Sequence, residues 1–116
     1  MGDQAFVSGG VGIHQFSKIG RLAMIGGNTR VNMDAPPFFL YAGEYIKPVG
    51  LNFVGLRRAG FSREETASLK TAYRLLYRAG LPLETALQRI EVEAGGPLAS
   101  ELTTFIRQSK RGIART

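Results

Sequence analysis

The stretch that decides the fold is residues 1–36, MGDQAFVSGGVGIHQFSKIGRLAMIGGNTRVNMDAP. Every sixth residue from the start gives Met1, Val7, Ile13, Ile19, Ile25 and Val31, all aliphatic. The fifth position of each block gives Ala5, Val11, Ser17, Ala23, Thr29 and Ala35, all small or β-branched. The second gives Gly2, Ser8, His14, Gly20, Gly26 and Asn32, mostly glycine or residues that tolerate a turn. Neither a helix nor an alternating strand repeats every six residues. A triangular parallel β-helix does: each hexapeptide forms one flat side, and three sides make a coil of about eighteen residues. The aliphatic residue points into the narrow interior and stacks on its counterpart one coil away. Met1 is thus expected near Ile19, Val7 near Ile25 and Ile13 near Val31. The fifth position turns inward near a corner, where only a small side chain fits.

The pattern is in register at Met1 and amounts to about two coils, whereas solenoids need several stacked units. These coils therefore read as the end of a longer β-helix. Outward from the repeat, Asp34-Ala35-Pro36-Pro37 is expected to end the solenoid, since two prolines remove two ladder donors. Residues 38–43 read as a short strand, and Pro48 closes an extended connection. Gly50 to Ala59 reads as a short helix ended by Gly60. Ser62-Arg63-Glu64-Glu65 is a capping box opening a helix to about Ala79, with Leu69, Ala72, Tyr73, Leu76 and Ala79 as its apolar stripe. A further helix runs from Pro82 or Leu83 to before Gly95. The last starts near Pro97, buries Leu98, Leu102, Phe105 and Ile106, and stops at Gly112; Ile113 to Thr116 are expected to fray. The expected class is α+β: the end of a left-handed parallel β-helix of hexapeptide repeats (1–37), a connecting strand and loop (38–49) and a C-terminal helical domain (50–116).

Composition narrows the chemistry. The 116 residues contain no cysteine and one histidine, His14. Thiolate nucleophiles and zinc–thiolate sites are excluded, and a histidine-built metal site has too few ligands, so no metal is expected. No run of eighteen apolar residues exists and no signal peptide is recognisable, so a soluble, cytoplasmic protein is expected. The net charge of +6 falls mostly after Lys47. It suits phosphate-bearing substrates or an acidic protein partner. No basic–aromatic alternation suggests nucleic acid.

Several strings together resemble one family. They are Ile13-His14-Gln15-Phe16 followed by Ile19-Gly20, then Ile25-Gly26-Gly27, Asp34-Ala35-Pro36-Pro37, Pro48-Val49-Gly50-Leu51-Asn52, Gly55-Leu56-Arg57-Arg58 and Gly60-Phe61-Ser62-Arg63-Glu64. Over essentially the whole chain they resemble the C-terminal half of the acyl-ACP–UDP-N-acetylglucosamine O-acyltransferases that start lipid A synthesis. The resemblance implies a homotrimer with active sites between adjacent β-helices. It also implies transfer of a 3-hydroxyacyl group from acyl carrier protein to the sugar 3-hydroxyl of UDP-N-acetylglucosamine. No separate cofactor is implied, because the carrier's phosphopantetheine thioester is a co-substrate. The family's general base is a histidine in a coil upstream of anything corresponding to Met1, so no catalytic residue is expected in this chain, which is expected to be inactive alone.

By the same resemblance His14 and Gln15 lie near the nucleotide sugar, and Asn52 and Arg58 contact the nucleotide or the phosphopantetheine. Arginine offers a forked donor for phosphate, and asparagine a donor–acceptor pair for a uracil edge. Gly27 matches the position that limits acyl length, and Gly9 lies beside the same groove; glycine leaves that groove open. Val54 and Ala59 stand where well-known members carry polar or charged nucleotide contacts, which puts the identity of the sugar nucleotide in doubt. Arg57, Arg58, Arg63, Lys70, Arg74 and Arg78 are candidates for steering an acidic carrier protein. The alternatives are a non-catalytic module that trimerises or binds the carrier, and an acyltransferase for a different sugar nucleotide.

Overall fold

A computed structural model describes residues 5–7, 12–13 and 17–115 of the chain. The expectations for Met1, Gly9, His14 and Gln15 lie outside these residues. The six-residue period appears as parallel pairing between coils. Strand β1 (Phe6–Val7) pairs with β3 (Met24–Ile25), and β2 (Gly12–Ile13) with β4 (Arg30–Val31). The registers are Phe6↔Met24, Val7↔Ile25, Gly12↔Arg30 and Ile13↔Val31, each eighteen residues on. A third side is marked by the parallel bridge Ile19↔Ala35. Ile19, Ile25 and Val31 are buried, and the fifth-position residues Ala23, Thr29 and Ala35 are fully so. Two faces of β-structure with a third bridged side leave an interior only wide enough for such side chains.

The two prolines do not end the ladder. Strand β5 (Phe39–Ala42) continues it parallel to β3, with Met24↔Leu40 and Ile25↔Tyr41. The coil merely shortens to sixteen residues. Pro36 and Pro37 sit at its corner, where their missing N–H groups are not needed: Ala35 donates to the Lys18 carbonyl and Phe38 to that of Arg21. Gly20 makes this corner possible, because a Cβ there would lie 2.5 Å from the Pro37 nitrogen. The third coil then stops. Tyr45 bridges Arg30, and β6 (Lys47–Leu51) folds back antiparallel on β5. Gly50 and Leu51, expected in a helix, belong to this strand. Pro48 lies within it on the sheet's edge, where proline is tolerated.

Helix α1 (Phe53–Arg58) is short. Helix α2 (Arg63–Tyr73) opens with the expected capping box: Ser62 Oγ accepts from the Glu65 N–H, and the Glu65 carboxylate accepts from the Ser62 N–H. It then widens into a π-helical turn over Arg74–Arg78, closed by the Ala79 N–H donating to the Arg74 carbonyl. The wide turn buries the adjacent Leu75 and Leu76 together, and it leaves Ala79, expected in the stripe, exposed. Tyr73 and Tyr77 stack edge-on against Phe39 of β5, with centroids at 5.1 and 5.9 Å, and so join the helices to the sheet. Helices α3 (Leu83–Glu93) and α4 (Gly96–Gln108) complete the bundle. Leu102 and Ile106 of α4 are buried, and Leu98 and Phe105 are partly so. Arg21 anchors α4 to the coil through a two-pronged pair with Glu101 (3.0 and 2.9 Å), its guanidinium over Phe38 and Phe61.

The tail does not fray as far as Arg115. Ile113 bridges Asp34 in parallel, and Ile113 and Ala114 are buried. The Asp34 N–H donates to the Gly112 carbonyl, and the Ala114 N–H to that of Asp34. The chain's end thus supplies backbone partners for the bridged side of the coil, while β6 does so for the β5 side. One hydrophobic core runs from Ile19 of the coil through α2–α4 to Ala114. No helix among the described residues is long and apolar enough to cross a membrane.

Candidate functional site

The coil and α1 meet at two stacked corners. Leu22 and, sixteen residues on, Phe38 both adopt positive φ (58° and 76°), a region disfavoured for side chains of that size. Asn52 ties both corners to α1. Its backbone N–H donates to the Phe38 carbonyl at 3.0 Å, and its Nδ2 donates to the Leu22 carbonyl at 2.9 Å. Its Oδ1 accepts from the Gly55 N–H at 3.1 Å and so caps α1. Gly55 is required at that cap: a Cβ there would lie 2.3 Å from Asn52 Nδ2.

Beside this joint lies a cavity of about 470 Å³. The coil supplies Ala5, Leu22 and Met24; α1 and its flanks supply Asn52, Val54, Gly55, Arg58 and Ala59. Asn52 is 6% exposed at its back, while Arg58 and Val54 are exposed. Among the described residues Arg58 is its one cation, and no carboxylate lines it. The lining offers an apolar slot, one amide and one guanidinium. Chemically that set is suited to a flat or apolar group attached to an anion, and among the described residues it holds no side chain suited to moving a proton near neutral pH.

Asn52 and Arg58 are therefore brought together, with Val54 and Ala59 beside them. Gly27 is not among the cavity's lining residues. It sits exposed in the next corner turn, before Asn28 (φ 59°). Gly9, His14 and Gln15 lie outside the described residues. Reading the sequence missed Leu22 and Met24. Their signal is apolar character at the fourth and sixth positions of a hexapeptide, which the repeat does not require to be apolar.

A sequence model described as UDP-N-acetylglucosamine O-acyltransferase, domain 2, matches residues 34–114. The chain belongs to the UDP-N-acetylglucosamine O-acyltransferase family. The acyl-[acyl-carrier-protein]–UDP-N-acetylglucosamine O-acyltransferases of Myxococcus xanthus and Burkholderia orbicola are each 43% identical over 99% of this chain. The chain spans 45% and 46% of their lengths. A crystal structure of the UDP-N-acetylglucosamine acyltransferase from Bacteroides fragilis superposes with a TM-score of 0.95 at 40% identity, over 98% of this chain and 45% of that one. The Acinetobacter baumannii protein gives a TM-score of 0.93 at 37% identity, over 98% and 45%. The family likeness thus covers the coil end, the joint at Asn52 and the helices alike.

Proposed function

We propose that this chain is the C-terminal portion of an acyltransferase that moves a 3-hydroxyacyl group from acyl carrier protein to the 3-hydroxyl of UDP-N-acetylglucosamine, the first step of lipid A synthesis. The observation that carries this reading is the convergence of Asn52 and Arg58 on one cavity between coil and α1, in a chain of this family. In the reading, Asn52 meets the uracil edge with whatever amide capacity its two structural hydrogen bonds leave, and Arg58 meets phosphate. His14 and Gln15 reach the nucleotide sugar, and Gly9 and Gly27 leave room for a long acyl chain. The carrier's phosphopantetheine thioester is the co-substrate, and no other cofactor or metal takes part. The coils wind left-handed, and three copies assemble in the cytoplasm with sites between neighbours. The general base is a histidine on a family coil outside these 116 residues, so the 116 residues alone do not catalyse transfer.

A second reading, transfer to a different sugar nucleotide, is favoured by one observation: Val54 and Ala59 line the cavity and offer no side-chain hydrogen bond. The test joins this chain in register to the N-terminal coils of the Myxococcus relative and supplies labelled acyl carrier protein with UDP-N-acetylglucosamine. Acylated sugar from the chimera, and none from the 116 residues, is expected. A folded chimera yielding no acylated sugar would overturn the reading. Product from the 116 residues alone would overturn the placement of the base.

A further inference from the structure

Helix α1 has six residues, too few to hold a helix by themselves. The position of Arg58 at the cavity is therefore set by what grips the two ends of α1. Two adjacent residues of one coil corner do so. At the N-terminal end the Leu22 carbonyl accepts from Asn52 Nδ2 at 2.9 Å. Just past the C-terminal end, the Arg21 guanidinium lies 5.6 Å from the ring centre of Phe61, and it lies 5.3 Å from that of Phe38. Phe38 belongs to the next corner. Its N–H donates to the Arg21 carbonyl, and its own carbonyl accepts from the Asn52 N–H.

The corner itself is strained. It is a turn closed by the Ala23 N–H donating to the Gly20 carbonyl at 3.2 Å. Leu22, its third residue, has a φ of 58°, where glycine or asparagine is the usual occupant. Such a conformation persists when its surroundings over-determine it. Glu101 of α4 supplies part of that constraint, since its two carboxylate oxygens accept from Arg21 Nε and Nη2 at 3.0 and 2.9 Å. The ion pairs of Arg89 and Arg107 stay within α3 and α4, whereas this one crosses from coil to bundle. With its side chains 30% and 36% exposed, it adds little to global stability. A forked pair braced by two rings fixes a geometry instead.

We infer that Arg21 and Glu101 are positioning residues of the ligand cavity: their pair sets the coil corner against both ends of α1 and so holds Asn52 and Arg58 in the arrangement that meets the ligand. Neither residue lines the cavity, so both act through the Leu22 carbonyl and Phe61. The inference rests on the reading that this cavity takes a nucleotide sugar.

The test is nuclear magnetic resonance of the isotope-labelled chain, first without ligand and then titrated with UDP-N-acetylglucosamine. Glu101→Gln keeps the shape and removes the charge; Arg21→Lys keeps the charge and removes the fork. Each is expected to move the Asn52 side-chain amide resonances before any ligand is added, and to weaken binding about threefold to tenfold. Arg107→Gln breaks the pairs to Glu84 and Glu91 on the same helix α4. It should leave the Asn52 amide in place and the affinity within about twofold of wild type. In an Asn52→Ala background, Glu101→Gln should weaken binding by a smaller factor than in wild type, because part of its effect passes through that amide. Thermal unfolding by circular dichroism verifies each variant; if Arg21→Lys fails to fold, Glu101→Gln reads the same contact from α4. An unmoved Asn52 amide or an unchanged affinity in folded Glu101→Gln, or equal weakening by Arg107→Gln, would overturn the positioning role and leave the nucleotide reading standing. No binding by the wild-type chain would overturn the nucleotide reading. The ligand-free amide then decides the positioning role: moved by Glu101→Gln and not by Arg107→Gln, the role stands, and any other result defeats it.

Discussion

The Nδ2 of Asn52 donates to the main-chain carbonyl of Leu22 at 2.9 Å and so fastens the first helix to a strained corner of the coil. The same residue that the family resemblance places at the nucleotide or the phosphopantetheine is therefore also the joint between the two halves of the fold. Replacing Asn52 by alanine leaves a buried carbonyl at Leu22 and an uncapped N–H at Gly55. We expect a loss of about 2–3 kcal/mol in urea unfolding, the sum of a lost cap and an unsatisfied buried acceptor.

Gly55 and Asn52 should be energetically coupled. A Cβ at Gly55 strikes the Asn52 amide at 2.3 Å, so Gly55→Ala forces that amide out of place. The cost is expected at about 1–3 kcal/mol in the wild-type background and well below that once Asn52 is alanine. Additive effects in the double-mutant cycle would contradict the coupling.

Gly20→Ala is expected to be worse tolerated than Gly50→Ala. The Gly20 Cβ would meet the Pro37 backbone at 2.5 Å, which cannot rotate away, whereas nothing lies within 4 Å of one at Gly50. A loss of about 3 kcal/mol against less than about 1 kcal/mol is the expected contrast, read from chemical denaturation.

Asp34 holds the C-terminal segment. One carboxylate oxygen accepts from the Lys18 N–H at 2.8 Å and the other from the Ser109 hydroxyl at 2.6 Å. Asp34→Ala should speed hydrogen exchange at Lys18 and Ala114, with the helices α2 and α3 protected as before. It should lower stability by about 2–4 kcal/mol, since hydrogen bonds to a charged group are lost at a buried position.

Stability should fall in alkali. Burial pushes the phenols of Tyr41 and Tyr77 above the ordinary tyrosine value of about 10. Above that pH the unfolded chain loses these protons while the folded chain keeps them, so ionisation favours unfolding. The stabilisation is whole below about pH 10 and is lost as pH rises towards the folded values. Phenolate absorbance should show that these two of the four tyrosines ionise only with unfolding, and Tyr77→Phe should remove one of them.

Much of this architecture is legible in the sequence because its cause is local. The six-residue period reports an interior that repeats along the chain, and Val7↔Ile25 and Ile13↔Val31 pair as that period requires. Ser62 and Glu65 announce their helix because a cap is made within one turn. The misses have distant causes. Pro36-Pro37 reads as a stop unless Gly20, a coil earlier, is known to receive it. Ile113 reads as a fraying end because its partner, Asp34, is 79 residues away and a two-residue pairing leaves no period. The π-helical turn accompanies the packing of Tyr77 beside Phe39 and Tyr73, which no spacing within α2 reveals. Of the candidate site, Asn52 and Arg58, at the two ends of one short helix, entered through the family resemblance, whereas Leu22 and Met24 became visible only when the coil stacked beneath it.

The most direct measurement is nuclear magnetic resonance of the isotope-labelled chain titrated with UDP-N-acetylglucosamine. The account predicts saturable shifts of the Asn52 side-chain amide, the Gly55 N–H and the Arg58 guanidinium, reduced about tenfold in affinity by Arg58→Ala through the lost charge-assisted bond. Saturable shifts confined to other surfaces, with Asn52, Gly55 and Arg58 unmoved in a folded chain, would contradict it.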